Sequence, residues 1–159
     1  MSSMDAEEIV AKLKEFAQAH NEIVAIYLFG SRARGDAVAG SDVDVAILLH
    51  PSIPATFDDE LRWSNMVMDA LHTDAVDALL LDRLPPAFQF RITSEGRVVH
   101  SNDEMQRIDW EAGMLSRYYD VRPFHKIYDR SYLEWLKERF TDDQRREYER
   151  ALETFARAN

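Results

Sequence analysis

Two strand-length apolar runs stand close together, and the second carries carboxylates where a buried strand usually has none. Residues 22–30 read EIVAIYLFG and residues 42–49 read DVDVAILL. Both have the β-branched, aromatic and aliphatic composition of strands. Side chains two apart on a strand share a face, so Asp42 and Asp44 project together, roughly 7 Å apart along the backbone. Val43 and Val45 then point the other way, into a core. Two like charges side by side repel each other and resist desolvation, so the pair is unfavourable unless a cation sits between them. Mg²⁺ suits such a pair, because it takes carboxylate oxygens and shares its shell with water and substrate phosphates. The other account is an edge strand with one wet face, on which Asp-x-Asp would be harmless.

The remaining pattern places these strands in a small α/β (α+β) domain. Residues 5–20 put Ala6, Ile9, Val10, Leu13, Phe16 and Ala17 on one helical face, with acids in the first turn. Pro51 and Pro54 break the chain after the second strand. Thr56, with Asp59 three residues on, caps a helix over 57–72 that carries Leu61, Met68 and Leu71. Residues 73–81, TDAVDALLL, read as a third strand with Asp77 in its middle. Pro85-Pro86 opens a short helix that Gly96 would stop, and residues 97–101 form a brief fourth strand. Asp103 caps a helix reaching about Tyr119, with Met105, Ile108, Ala112 and Leu115 expected inward. Two further helices are expected, over 123–140 and from Thr141 onward. The layout divides into a core over 1–104 and a helical extension over 105–159.

Composition narrows the function. A chain of 159 residues suffices for one domain with a proper core. No apolar run approaches the length of a membrane span, and the start MSSMDAEEIVAKLKEF lacks the basic and apolar regions of a signal peptide. The absence of cysteine removes disulfides and thiolate metal sites. A cytoplasmic location is expected. The net charge of −10 argues against a protein that grips nucleic acid by its phosphates, which calls for a basic surface. The five histidines, at 20, 50, 72, 100 and 125, show no ligand-like spacing.

Between the first two strands lies GSRARGDAVAGS. A strand ending in Gly30-Ser31 presents backbone N–H groups and a hydroxyl at one spot, an arrangement that can bind phosphate oxygens, with glycine permitting close approach. Arg32 and Arg34 follow directly. Guanidinium matches phosphate geometry; the other account is solvated loop charge, which is the better one for Arg32. Ten residues separate Ser31 from Asp42, giving Gly-Ser-x₁₀-Asp-x-Asp. This combination resembles the signature of the DNA polymerase β-like nucleotidyltransferase superfamily. GSRARGDAVAGSDVDVAIL resembles more narrowly its minimal nucleotidyltransferase (MNT) branch, with Gly-Ser-x-Ala-Arg-Gly and Ser-Asp-x-Asp elements, as in MntA-type antitoxins. Downstream, AVDALLL and ITSEGRVVHSND are similar to that branch's third-carboxylate strand and Glu-Gly turn, so the resemblance spans about residues 20–104.

The resemblance implies a small mixed β-sheet core flanked by helices and a reaction: transfer of a nucleoside monophosphate from an NTP, by default ATP, to an acceptor hydroxyl. It implies that Asp42 and Asp44 hold two Mg²⁺ ions, and that Gly30 and Ser31 hold the β- and γ-phosphates. Asp77 becomes the third carboxylate, ligating metal and drawing the proton from the attacking hydroxyl. Asp82 is an alternative, although five positions later it would face the opposite side of a regular strand. Arg34 and Ser41 become further nucleotide contacts. MNT-branch proteins commonly pair as antitoxins with HEPN ribonuclease toxins, adding AMP to a toxin tyrosine. That partner suits a small acidic chain with an aromatic-rich tail; a homo-oligomer is also compatible. The chain lacks the HEPN pattern of Arg followed four to six residues later by His. The alternatives are adenylylation of a small hydroxylated molecule such as an aminoglycoside, or an antitoxin that acts by occlusion without turnover.

Overall fold

The computed structural model describes residues 5–122 together with Arg146 and Arg150. The helices expected over 123–140 and from Thr141 onward therefore lie outside the described residues. Within the described residues, four strands alternate with helices: α1 (Ala6–Ala19), β1 (Ile23–Phe29), α2 (Gly30–Arg34), β2 (Val43–Leu49), α3 (Phe57–Leu71), β3 (Val76–Leu80), α4 (Pro86–Glu95), β4 (Arg97–Ser101) and α5 (Glu104–Val121). The strands form one mixed sheet in the order β3-β2-β1-β4. β1 runs antiparallel to β2 and β4, while β2 and β3 are parallel. This is the small mixed sheet with flanking helices expected of the sequence. None of the described helices is long and apolar enough to cross a membrane.

Helices cover both faces, which explains why β1 and β2 are buried along their whole length. On one face, Ile9, Leu13 and Phe16 of α1 and Trp63, Val67 and Leu71 of α3 pack on Ile26, Val43, Val45 and Ile47. On the other, Phe88 and Ile92 of α4 pack on Tyr27, Phe29, Ala46 and Leu48. Odd positions of β2 thus meet α1 and α3, and even positions share the face of α4. Asp5 caps α1 through the Glu8 N–H, and Thr56 and Asp59 form a reciprocal capping box on α3. Glu60 of α3 accepts a hydrogen bond from the Leu80 N–H at 3.1 Å and so covers part of the β3 edge.

Helix α5 settles in a different rotation from the one its aliphatic spacing suggests. Met105, Ile108 and Leu115 are exposed (68%, 46% and 38%), whereas Met114 and Tyr118 are buried. The inward stripe is aromatic and polar. Tyr118 stacks on Phe90 at 4.1 Å between ring centroids, and the Trp110 indole N–H donates to Asp82 at 2.6 Å. The Tyr27 hydroxyl, wholly buried in β1, donates to Glu111 at 2.7 Å. A buried phenol must find a partner and large rings bury more area than aliphatics, so this stripe wins. Leu61, one of the apolar residues noted on α3, is 49% exposed, and Trp63, Val67 and Leu71 are the buried set.

Candidate active site

The site lies at the end of the sheet where β1 finishes and the parallel strands β2 and β3 begin. Asp44 pairs with Phe29 across the antiparallel ladder and with Asp77 across the parallel one. Register partners present their side chains on the same face, so the two carboxylates lie side by side on neighbouring strands. β2 is an interior strand and Asp44 is only 7% exposed. A wet edge strand therefore does not explain the Asp-x-Asp pattern. Asp77 sits on the edge strand β3 and is half-buried. Asp42 lies just ahead of β2.

Gly30 is what makes room for Asp44. A Cβ at position 30 would overlap Asp44 Oδ2 and stand 2.8 Å from its Cγ. Gly30 also has φ of 69°, a left-handed conformation that side chains disfavour. The chain then turns directly into α2, where the sequence suggested a loop. One helical turn starting at Gly-Ser still presents N–H groups that lack intrahelical partners. Gly35, at φ of 79°, ends that turn.

Residues 35–42 fold back over the turn and wall a cleft of about 480 Å³. Arg32 donates from Nη2 to the Ser41 carbonyl at 2.8 Å, tying this loop to α2. The Ser41 hydroxyl accepts from the Val38 N–H at 3.0 Å, so it also shapes the loop. Arg34 pairs with Asp36 at 3.2 Å. Ser31, Arg34, Ser41, Asp42 and Asp44 all line the cleft; Gly30 and Asp77 do not. Gly30 lies against Asp44, and Asp77 lies beside it. Asp82, the alternative third carboxylate, falls in a 3-10 turn and accepts from Trp110, so it anchors α5. Arg146 and Arg150 also line the cleft. The sequence offered no motif for them, since nothing local ties an arginine pair in the tail to a loop near residue 40.

The residues present suit a divalent cation by donor chemistry. Among the described residues no three acidic or imidazole groups converge into a metal-binding cluster. Mg²⁺, however, is usually bound through one or two carboxylates and completes its shell with water and phosphate oxygens. Asp42 and Asp44 on the cleft wall meet that need, with the glycine at position 30 leaving space for the second of them.

Known proteins place this geometry in context. Among solved structures, the chain is similar to a toxin–antitoxin complex with AMP-PNP, at TM-score 0.60 and 18% identity, covering 78% of this chain and 98% of that one. It is similar to a structure of a tri-AMPylated Shewanella oneidensis HEPN toxin in complex with MNT antitoxin, at TM-score 0.59 and 16% identity, over 80% and 98% of the two chains. The MntA-HepT toxin-antitoxin matches at TM-score 0.56 and 16% identity, over 80% and 98%. At such identities the likeness is one of fold. No curated protein is a significant match. The sequence profile of the family described as polymerase beta, nucleotidyltransferase, matches residues 11–105, a span that holds the Gly-Ser turn and all three carboxylates. The chain belongs to the polymerase beta nucleotidyltransferase family.

Proposed function

We propose that this chain is a Mg²⁺-dependent adenylyltransferase that moves AMP from ATP onto a tyrosine of a HEPN-type toxin, and so serves as an antitoxin. The observation that carries this reading is Asp44, a carboxylate 7% exposed on an interior strand, fitted against a glycine and opening on a cleft. Burying a charge is expensive, and a binding module without turnover gains nothing from it. The fold shared with antitoxins of HEPN pairs supports the partner. The acidic composition supports a protein acceptor over a polynucleotide. The reaction belongs in the cytoplasm, where ATP and Mg²⁺ are available.

Asp42, Asp44 and Asp77 would hold two Mg²⁺ ions, which supply neutralisation of the triphosphate and of the oxygens entering and leaving the α-phosphorus. Gly30, Ser31 and the N–H groups of the α2 turn would receive the β- and γ-phosphates. Arg34 and Ser41 would add contacts from the cleft wall. Asp77, next to Asp44 on the neighbouring strand, would take the proton of the attacking tyrosine hydroxyl. The tyrosine oxygen then bonds to the α-phosphorus, the bond from that phosphorus to the bridging oxygen breaks, and pyrophosphate leaves. The buried wall formed by Phe29 and Gly30 keeps Asp44 fixed, so that little reorganisation accompanies the reaction.

The test is a labelling experiment in lysate of the native host, with ATP labelled on the α- or the γ-phosphate. A protein labelled only from the α-position, and unlabelled when Asp44→Asn replaces the wild type, supports adenylyl transfer to a protein. Label from the γ-position would refute it. Product that forms only on small hydroxylated molecules would shift the reading to the small-molecule alternative.

A further inference from the structure

The cleft holds two arginines that the family match does not reach. The match ends at residue 105, yet Arg146 and Arg150 line the same cleft as Ser31, Asp42 and Asp44. Both are helical and exposed. Both line one cleft, so the two guanidinium groups can act on one ligand. With Arg34 they set three cationic side chains against Asp36, Asp42 and Asp44 in one cleft of about 480 Å³. A protein of net charge −10 would otherwise repel a polyanion.

We infer that Arg146 and Arg150 bind the triphosphate tail of the nucleotide and stabilise pyrophosphate as it leaves, completing a site whose carboxylates lie on the sheet. The inference rests on the nucleotidyltransferase reading of the cleft and adds a phosphate-binding wall outside the matched domain. The chemistry fits the division of labour. Carboxylates attract metal ions and repel phosphate, whereas guanidinium groups offer planar forked donors to phosphate oxygens. The charge on the leaving group grows during transfer, so fixed donors at the pyrophosphate end assist the reaction more than donors at the ribose or base. A nucleoside monophosphate, which lacks the β- and γ-phosphates, would gain little from the pair.

The experiment measures equilibrium binding to the full chain, with Mg²⁺, of a non-hydrolysable ATP analogue, of pyrophosphate and of AMP. The variants are Arg146→Ala/Arg150→Ala, the corresponding double Lys and the double Glu. The double Ala variant should bind the ATP analogue and pyrophosphate about tenfold to a hundredfold more weakly, the range for losing charge-assisted hydrogen bonds. Its AMP affinity should stay within about twofold, which also controls for folding. The Lys variant should recover part of the loss and the Glu variant should deepen it. Equal loss for AMP and the triphosphate would overturn the inference in favour of a general structural role. Unchanged binding of all three ligands by the double Ala variant would overturn it too, while leaving the carboxylate site standing. Wild type that binds no nucleotide at all would overturn both readings.

Discussion

Strand β1 meets two groups of polar side chains, and the contrast between them separates scaffolding from chemistry. At its middle, buried Tyr27 donates to Glu111, which also accepts from Arg107 at 2.6 Å, and Arg107 is bound in turn by Glu104. Burial and the Glu111 carboxylate push the Tyr27 phenol well above its usual range, so it stays protonated and donating. Glu104 holds the Arg107 guanidinium charged. This chain of groups satisfies itself and fastens α5 to the sheet. At the end of the same strand, Phe29 and Gly30 face Asp44, and there the carboxylate opens on a cleft. One group uses its hydrogen bonds to hold a helix. The other directs charge to a place where a ligand can enter.

Substitutions at the two groups should therefore have opposite signatures. The largest effect is expected from Asp44→Asn, which should lower AMP transfer by at least about a hundredfold, the loss typical when one stabiliser of transition-state charge is removed. The fold should persist, because the amide keeps the size and shape of the carboxylate packed beside Gly30. Transfer assays beside thermal unfolding check both halves, and near-normal turnover would break the comparison. Gly30→Ala comes next. The overlap with Asp44 and the positive φ should cost about 1–3 kcal/mol of stability, with loss of transfer. Urea unfolding measures the first and the label assay the second.

Tyr27→Phe removes the hydroxyl from the self-contained group and should cost about 1 kcal/mol. Transfer at saturating ATP should hardly change, and a large loss of turnover would mean that the two groups are coupled. The smallest effect concerns acid. The hydrogen bond from Arg107, and secondarily one from Ser101, lowers the Glu104 carboxyl from its ordinary 4.5 to about 2. A depressed folded-state pKa contributes stability above the unfolded value and loses it as pH falls through the folded one. Stability should thus decline between pH 4.5 and about 2, and Glu104→Gln should flatten that part of the profile in acid titrations followed by circular dichroism.

The parts of this molecule that could be read from the sequence are those written in local spacing. Gly30-Ser31, the interval to Asp42 and the alternation to Asp44 sit within one short stretch, and the strand composition around them is unambiguous. The brief fourth strand, residues 97–101, lay where a β-rich run after Gly96 put it. Information that depends on distant contacts was harder to extract. Helix α5 carries two candidate stripes, and only the position of Tyr27 on the sheet and the Phe90 ring decide which turns inward. The neighbouring placement of Asp44 and Asp77 follows from a parallel register between strands separated by α3. The Arg32 contact to the Ser41 carbonyl is a backbone interaction that no pattern of side chains announces. Arg146 and Arg150 reach the cleft from far along the chain, and two arginines four positions apart in a sequence are common on solvated surfaces.

The most direct test of the central claim, that Asp44 makes this cleft a metal-dependent nucleotide site, is the melting temperature of the wild type and of Asp44→Asn with Mg²⁺, with ATP and with both. A ligand that binds only the native state raises the melting temperature. The account predicts that Mg²⁺ and ATP together raise it in the wild type by more than the sum of their separate shifts, and that Asp44→Asn loses this excess. An equal excess in the mutant, or purely additive shifts in the wild type, would contradict it.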